Sequence, residues 1–222
     1  MEQKIAIITG ANGGMGSTLV RDVSKAGFKV IMACQSIQRA TPTFERLKKE
    51  TQGDIELWPL DLASFESIKN FVTEFQKQYQ HIDLLLNNAG TLCHKPERTA
   101  ENYEKTVGVN YLGHYVLTHS LLPLMGKGTR VVNMVSLTVR YGHLKPTLFQ
   151  PVDNKHFNRF VTYSGSKKAF FYFTMDAAEA WADKGITVNC ADPGIVSTNI
   201  IRMGNKVIDK LFYRFIIPFL HP

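Results

Sequence analysis

The feature that most limits how this chain can fold is a regular alternation of short apolar runs with longer amphipathic stretches. Six runs recur: Lys4–Gly10, Lys29–Gln35, Ile55–Asp61, Ile82–Asn88, Arg130–Ser136 and Ile186–Asp192. Each is nearly continuous in its apolar character, the third weakened by Pro59. A strand with one wet face alternates polar and apolar residues, whereas a strand covered on both faces has no polar side to write. Between the runs, Met15–Ala26, Thr43–Thr51, Ser64–Tyr79, Ala100–Met125 and Tyr163–Lys184 carry helical periodicity. Ser64, with Glu66 and Ser67 close behind, reads as the N-cap of the third stretch. Strand–helix alternation predicts an α/β fold, a doubly wound parallel sheet in three α/β/α layers. With no repeat, linker or low-complexity tract, residues 1–222 read as a single domain.

Composition narrows the function classes. At 44% hydrophobic and 20% charged residues, the chain has the apolar content of a globular domain and not of a disordered one. The net charge of +7 invites an anionic partner, but the basic residues are dispersed, and the densest run, Arg46 to Lys49, reads as a solvated helix face. Nucleic-acid binding is not expected, since no basic stripe interleaves with aromatics. Cys34, Cys93 and Cys190 stand far apart and form neither a disulfide framework nor a metal pair, so they read as small buried hydrophobes. His114 and His119 lack a carboxylate or cysteine at ligand spacing, and no metal site is expected. The N-terminus runs directly into a strand without a signal sequence, and no apolar window reaches the length of a membrane span. The expected location is cytoplasmic.

The first apolar run ends in Thr9-Gly10-Ala11-Asn12-Gly13-Gly14-Met15-Gly16, followed at once by a helical pattern. Glycines let a backbone turn tightly and approach a pyrophosphate, and the helix start supplies N–H groups and the positive end of its dipole. The strand–glycines–helix context is the one a dinucleotide-binding loop requires. Further along, Tyr163-Ser164-Gly165-Ser166-Lys167 opens the last helical stretch, with Tyr163 and Lys167 one turn apart on one face. A phenol titrates near 10, and a neighbouring ammonium favours the phenolate and lowers that value. Asn87-Asn88-Ala89-Gly90 ends the fourth run, Ser136 closes the fifth, and Pro193-Gly194 closes the sixth. Asn110 lies in the intervening helical stretch.

Taken together, the T-G-x-x-x-G-x-G loop, N-N-A-G, Asn110, Ser136, the Tyr-x-x-x-Lys pair and Pro-Gly resemble the short-chain dehydrogenase/reductase family over nearly the whole chain. The segment VNYLGHYVLT, the long gap between Ser136 and Tyr163, and YSGSKKAFFYFT resemble its retinol-dehydrogenase and carbonyl-reductase branch. The resemblance implies a Rossmann fold and an oxidoreductase that interconverts an alcohol and a carbonyl on a lipophilic small molecule. It implies that Tyr163 is the general acid–base, that Ser136 stabilises charge on the carbonyl oxygen, and that Lys167 binds the nicotinamide ribose and lowers the tyrosine's pKa. Asn110 is expected to hold a water in a proton relay or, in a structural reading, to stabilise a helix kink. Gly10, Asn12, Gly13, Met15 and Gly16 are expected at the pyrophosphate and adenosine, Asp61 and Leu62 at the adenine, and Asn88, Ala89 and Gly90 at the adenosine ribose. Pro193, Gly194, Val196 and Thr198 are expected at the nicotinamide half.

NADP(H) is the favoured cofactor, with NAD(H) as the alternative. The second run ends in Cys34-Gln35-Ser36-Ile37-Gln38-Arg39, without the carboxylate that binds a ribose 2′-hydroxyl and repels a 2′-phosphate. Gln35 stands where related NADP enzymes often carry arginine, so the phosphate falls to Ser36 and to Arg39 reaching back, unless Arg39 simply faces solvent. Two segments break the strand–helix rhythm. Residues 137–162 form a long aromatic insertion, and residues 199–222 are apolar and basic, a substrate lid, a membrane-surface contact or an oligomer contact. The resemblance implies a further helix and strand beyond Pro222. It also implies a homo-oligomer built on the last two long helices, with Phe170, Phe171 and Trp181 as candidates for burial between subunits.

Overall fold

The computed structural model describes residues 3–150 and 155–194. Six parallel strands form one sheet in the order β3-β2-β1-β4-β5-β6: β1 (Ile5–Thr9), β2 (Lys29–Cys34), β3 (Ile55–Pro59), β4 (Leu84–Asn87), β5 (Arg130–Met134) and β6 (Thr187–Ala191). The order reverses between β1 and β4, which creates the crevice at the carboxyl ends of strands where open α/β sheets bind ligands. Continuous apolar runs resolve into two faces. Ile5, Ile7, Ile31, Ala33 and Leu85 point into one core with Phe75, Leu117, Phe170 and Trp181. Their neighbours Ala6, Ile8, Val30, Met32 and Leu86 point into the other with Val20 and Leu47. Side chains that alternate across a strand therefore meet protein on both sides, and polar residues are excluded from each.

The helices are α1 (Gly14–Lys25), α2 (Ile37–Thr51), α3 (Phe65–Gln78), the short α4 (Lys105–Val107), α5 (Gly113–Leu121) and α6 (Arg159–Ala180). Ser64 caps α3 by accepting from the Ser67 N–H at 3.2 Å, an arrangement that contributes about 1 kcal/mol. α2 begins six residues earlier than its apolar pattern suggests. Ser36 caps it by accepting from the Arg39 N–H, and Pro42 is held inside the helix. Ala100–Met125 is not one helix. α4 and α5 are separated by a π-helical turn, Gly108–Leu112, and α5 gives way to a 3₁₀ turn at Leu122–Leu124. The glycines that bracket this π turn allow close packing. A Cβ on Gly108 would lie 2.1 Å from Thr99 Cγ2, and one on Gly113 would lie 2.4 Å from the Leu62 oxygen.

Tyr163 does not open α6, which starts at Arg159 under an Asn158 cap whose side chain accepts from Phe160 and Val161. The 137–162 segment is less loop-like than its composition suggests: it contains 3₁₀ turns at Leu137–Tyr141 and Pro146–Phe149 and the first turn of α6. The 199–222 segment, Val196 and Thr198 lie outside the described residues. Cys34 and Cys93 are buried, but Cys190 is exposed, because β6 pairs only with β5 among the described residues and keeps only Val188 deeply buried. Phe170 and Trp181 are consumed by the protomer's own core, at 0% and 5% exposure, so neither is available to a subunit contact. Beyond the first turn of α6, Tyr115, Tyr172 and Met175 are the large apolar side chains that α5 and α6 leave exposed. Among the described residues, no helix is long and apolar enough to cross a membrane.

Candidate active site

The loop after β1 is shaped by steric limits on its glycines. Gly10 has φ +62°, and a Cβ there would lie 2.9 Å from Ala89 Cα, so the loop rests directly on the N-N-A-G turn. A Cβ on Gly16 would lie 2.2 Å from the Gly10 oxygen, whereas one on Gly14 would meet nothing within 4 Å. The loop is thus tight inside and open at its crown. No side chain caps α1, and its first turn carries no acid, which leaves the helix start for an anion. Asn88 donates to the Thr9 oxygen at 2.8 Å, while its own buried Oδ1 has no hydrogen-bond partner. An open crown, an uncapped helix and an orphaned amide oxygen fit a nucleotide diphosphate and its ribose.

Residues expected near the adenosine form a chain across the ends of β2 and β3. Arg39 donates to Gln35 Oε1 at 3.3 Å, and Gln35 Nε2 donates to Asp61 Oδ2 at 3.1 Å. Asp61 Oδ1 accepts from the Ala63 N–H at 2.9 Å. The Ser36 hydroxyl oxygen accepts from the Arg39 N–H at 3.3 Å, so capping α2 occupies one of its lone pairs. Leu62 is 5% exposed with its side chain in the core, so its main chain alone can face a ligand.

Ser136, Tyr163 and Lys167 converge beyond β5. The Ser136 oxygen accepts from the Thr138 N–H at 3.3 Å as cap of the following 3₁₀ turn, which leaves its own proton to donate. Tyr163 is hydrogen-bonded to Ser136, which favours its phenolate, but burial is the larger influence and raises the phenol's pKa, with Asp192 adding to the rise. Lys167 is 4% exposed and donates to the Met134 oxygen at 2.7 Å; its Nζ lies 5.9 Å from the Tyr163 ring centroid. Burial pushes its pKa down to about 8, against the opposing pull of Asp192. The influences on the Tyr163 phenol are burial, Ser136 and Asp192; the lowering by Lys167 that the resemblance implied is not among them.

Asn110 has no exposed surface. Its Oδ1 accepts from the Thr91 N–H at 2.7 Å, and its Nδ2 donates to the Thr91 oxygen at 3.0 Å and to Ser166 Oγ at 3.1 Å. Ser166 donates in turn to the Tyr163 carbonyl at 2.7 Å, so the π turn is tied to the helix that carries the tyrosine. The kink-stabilising reading fits these bonds, which leave neither Nδ2 proton of the side chain for a water. Pro193 and Gly194 follow β6. Gly194 has φ +68°, and its N–H donates to Asp192 Oδ1 at 2.9 Å.

Three participants escaped the sequence reading. Asp192 acts electrostatically on both Tyr163 and Lys167, and only its place before Pro193-Gly194 hinted at this. Thr9 and His114 bond to one another at 2.9 Å within the buried site, although they are far apart in sequence. His119, by contrast, lies among the rings of Tyr115, Phe173 and Trp181, a packing role. A groove of about 800 Å³ between β3 and α3, lined by Trp58, Ser64, Asn70 and Phe71 among others, contains none of the predicted site residues.

A family model described as short chain dehydrogenase matches residues 4–149 and 151–207. The chain is 32% identical over 218 residues to retinol dehydrogenase 11 of Mus musculus, covering 96% of this chain and 68% of that protein. It is also 32% identical over 215 residues to polyprenol dehydrogenase of Mus musculus, covering 92% of this chain and 63% of that one. Among solved structures it is similar to a Beutenbergia cavernae protein, provisionally assigned as an NAD(P) dependent gluconate 5-dehydrogenase, that contains bound NADP at low occupancy. That similarity has a TM-score of 0.70 and 26% identity and covers 89% of this chain and 74% of that one.

Proposed function

The chain belongs to the short chain dehydrogenase family of NAD(P)-dependent oxidoreductases, and from that premise we propose that it interconverts a lipophilic alcohol and its carbonyl compound with NADP(H). The observation that carries the proposal is the convergence of Ser136, Tyr163 and Lys167 beyond β5, joined through Ser166 and Asn110 to the π turn. A bound nicotinamide supplies or accepts the hydride. Gly10, Asn12, Gly13, Met15 and Gly16 hold the diphosphate side, Asn88, Ala89 and Gly90 the adenosine ribose, and Pro193 and Gly194 the nicotinamide half. Tyr163 donates its phenolic proton to the carbonyl oxygen in reduction and removes the hydroxyl proton in oxidation. Ser136 donates to the same oxygen and stabilises its negative charge. Lys167 binds the nicotinamide ribose. An anionic dinucleotide nearby raises its pKa from about 8 and so favours the ammonium, which in turn favours the phenolate. Asn110 holds a relay water on its main-chain oxygen.

Lipophilic substrates are supported by apolar side chains exposed beside the catalytic residues. Leu137, Tyr141 and Leu144 follow Ser136, and Phe160 and Val161 precede Tyr163 in the first turn of α6; all five are exposed. The Leu137–Tyr141 turn packs closely on that helix, since a Cβ on Gly142 would lie 2.3 Å from the Ser164 oxygen. The names of the retinol and polyprenol dehydrogenase relatives point the same way. For the 2′-phosphate, the Arg39–Gln35–Asp61 chain provides a guanidinium whose present partner, a neutral amide, is readily exchanged for a dianion. We further propose a homo-oligomer that covers Tyr115, Tyr172 and Met175.

Titration of the protein with NADPH and NADH, followed by nicotinamide fluorescence, tests the cofactor reading. NADPH is expected to bind about tenfold more tightly, a difference of about 1.4 kcal/mol, and Arg39→Ala is expected to remove most of it. Tighter binding of NADH would overturn the phosphate assignment, and binding of neither would overturn the oxidoreductase. Turnover of retinol with NADP⁺ is the accompanying activity assay.

A further inference from the structure

His114 lies in the first turn of α5, just beyond the π turn, with no exposed surface, and it stacks on Phe170 at 5.2 Å and an interplanar angle of 17°. Its Nε2 lies 2.9 Å from Thr9 Oγ1, and its Nδ1 lies 3.4 Å from the Asn110 oxygen. The hydrogen-bond capacity of Thr9 decides how the ring is protonated. A hydroxyl has two acceptor positions and one proton. Both acceptor positions are taken, by the N–H groups of Asn88 and Ala89 at 2.9 Å each. The proton has two candidate acceptors, His114 Nε2 at 2.9 Å and the more distant Leu86 oxygen at 3.4 Å. Nε2 is therefore the acceptor, and the ring's proton sits on Nδ1, facing the Asn110 oxygen. Burial agrees, since it drives the ring's pKa down to about 3, with Lys167 adding to the fall.

We propose that His114 is a positioning residue: as the Nδ1–H tautomer anchored by Thr9, it holds the main-chain carbonyl of Asn110 in place for the proton relay. The inference rests on the relay reading of Asn110 given above and extends it to the group that orients it. In a π turn the carbonyls accept at i+5 in place of the i+4 bonds of an α-helix, as Gly108 does from the Gly113 N–H. The Asn110 side chain is fully occupied by Thr91 and Ser166, and His114 Nδ1 is the side-chain group that approaches its main-chain oxygen. The direction of the chain makes the effect separable. When the imidazole is removed, the Thr9 proton turns to the Leu86 oxygen, and Thr9 keeps both of its bonds from Asn88 and Ala89. The nucleotide loop is therefore retained while Asn110 loses its donor.

Two measurements test this in the full chain. Long-range ¹H–¹⁵N correlation spectra of the imidazoles read the tautomer without any turnover. The expected signature is a neutral Nδ1–H ring for His114 at pH 6, and an Nε2–H or doubly protonated ring would overturn the proposal. His114→Phe keeps the stack on Phe170 and loses both hydrogen bonds. With retinol and NADP⁺, its kcat is expected to fall about tenfold while the Kd for NADPH stays within about twofold. His114→Gln, which offers an acceptor and a donor at similar reach, is expected to recover most of that loss. An unchanged kcat in His114→Phe, or a parallel loss of kcat and NADPH affinity that glutamine does not repair, would overturn the proposal. A wild-type protein that binds NADPH and shows the expected tautomer yet turns over no alcohol or carbonyl overturns the oxidoreductase reading instead.

Discussion

The two halves of the sheet are built from different materials. In β1, β2 and the helices beside them, the interior is almost purely apolar, and the nucleotide loop is shaped by backbone contacts that only glycine permits. Around β4, β5, α5 and α6, the interior is threaded with polar groups. Asn87 donates to Thr118 and Asn133, Asn133 to Thr174, and Lys167 to Met134, all from buried positions. The first half gains its precision from shape. The second gains it from hydrogen bonds that are costly to leave unmade inside a low-dielectric interior. A loop that must approach a diphosphate needs room and N–H groups, while a site that moves a proton needs oriented donors and acceptors, and each half is built accordingly.

The largest expected effect falls in the polar half. Tyr163→Phe removes only a hydroxyl from a partly exposed residue, so stability and NADPH binding should change little. Turnover should fall by about 10²-fold or more, because the transferable proton is lost. Steady-state rates beside a fluorescence titration check this, and substantial surviving turnover would remove Tyr163 from its assigned role.

The next effect belongs to the shape-defined half and contrasts two neighbouring glycines. Gly16→Ala drives a methyl group to 2.2 Å from the Gly10 oxygen, where rigid backbone must shift. Overpacking of this kind costs about 1–3 kcal/mol and should lower Tm by roughly 2–10 °C. Gly14→Ala places its methyl in open space and should leave Tm within roughly 2 °C, with its cost confined to nucleotide affinity. Equal Tm losses for the two variants in thermal melts would mean that the loop is not defined by internal contact, and the contrast between the halves would fail.

The same division explains what could be read from sequence. The first half was legible because burial on both faces writes itself as continuous apolar runs. Ile5 to Ile8 alternate between two cores with no polar residue between them. Ser64 was legible as a cap because capping is local. The break at Gly108–Leu112 was legible only as a kink at Asn110, because the π turn is held by Thr91 and Ser166, which lie far from Asn110 along the chain. His114 could be weighed from sequence only as a metal ligand, because its partner, Thr9, sits on another element. The start of α6 was misplaced by one turn because Asn158 caps it across a stretch whose aromatic and polar residues carry little helical signal. The electrostatics of Lys167 depended on burial depth, which spacing from Tyr163 does not encode.

That buried lysine gives the smallest effect, and a direct test of whether the two halves are coupled. With its pKa pushed down to about 8, Lys167 is about half protonated at pH 8 in the free protein. An anionic dinucleotide brought close favours the ammonium and raises that pKa, so binding must draw protons from solvent. The sign is fixed: uptake at pH 8 approaches about half a proton per site, and it falls towards zero near pH 6, where the amine is already charged. Titration calorimetry in two buffers of different ionisation enthalpy measures the uptake, and Lys167→Met should abolish it. Binding without proton uptake at pH 8 would mean that a ligand on the glycine loop does not act on the buried charge, and that the apolar half and the polar half work independently.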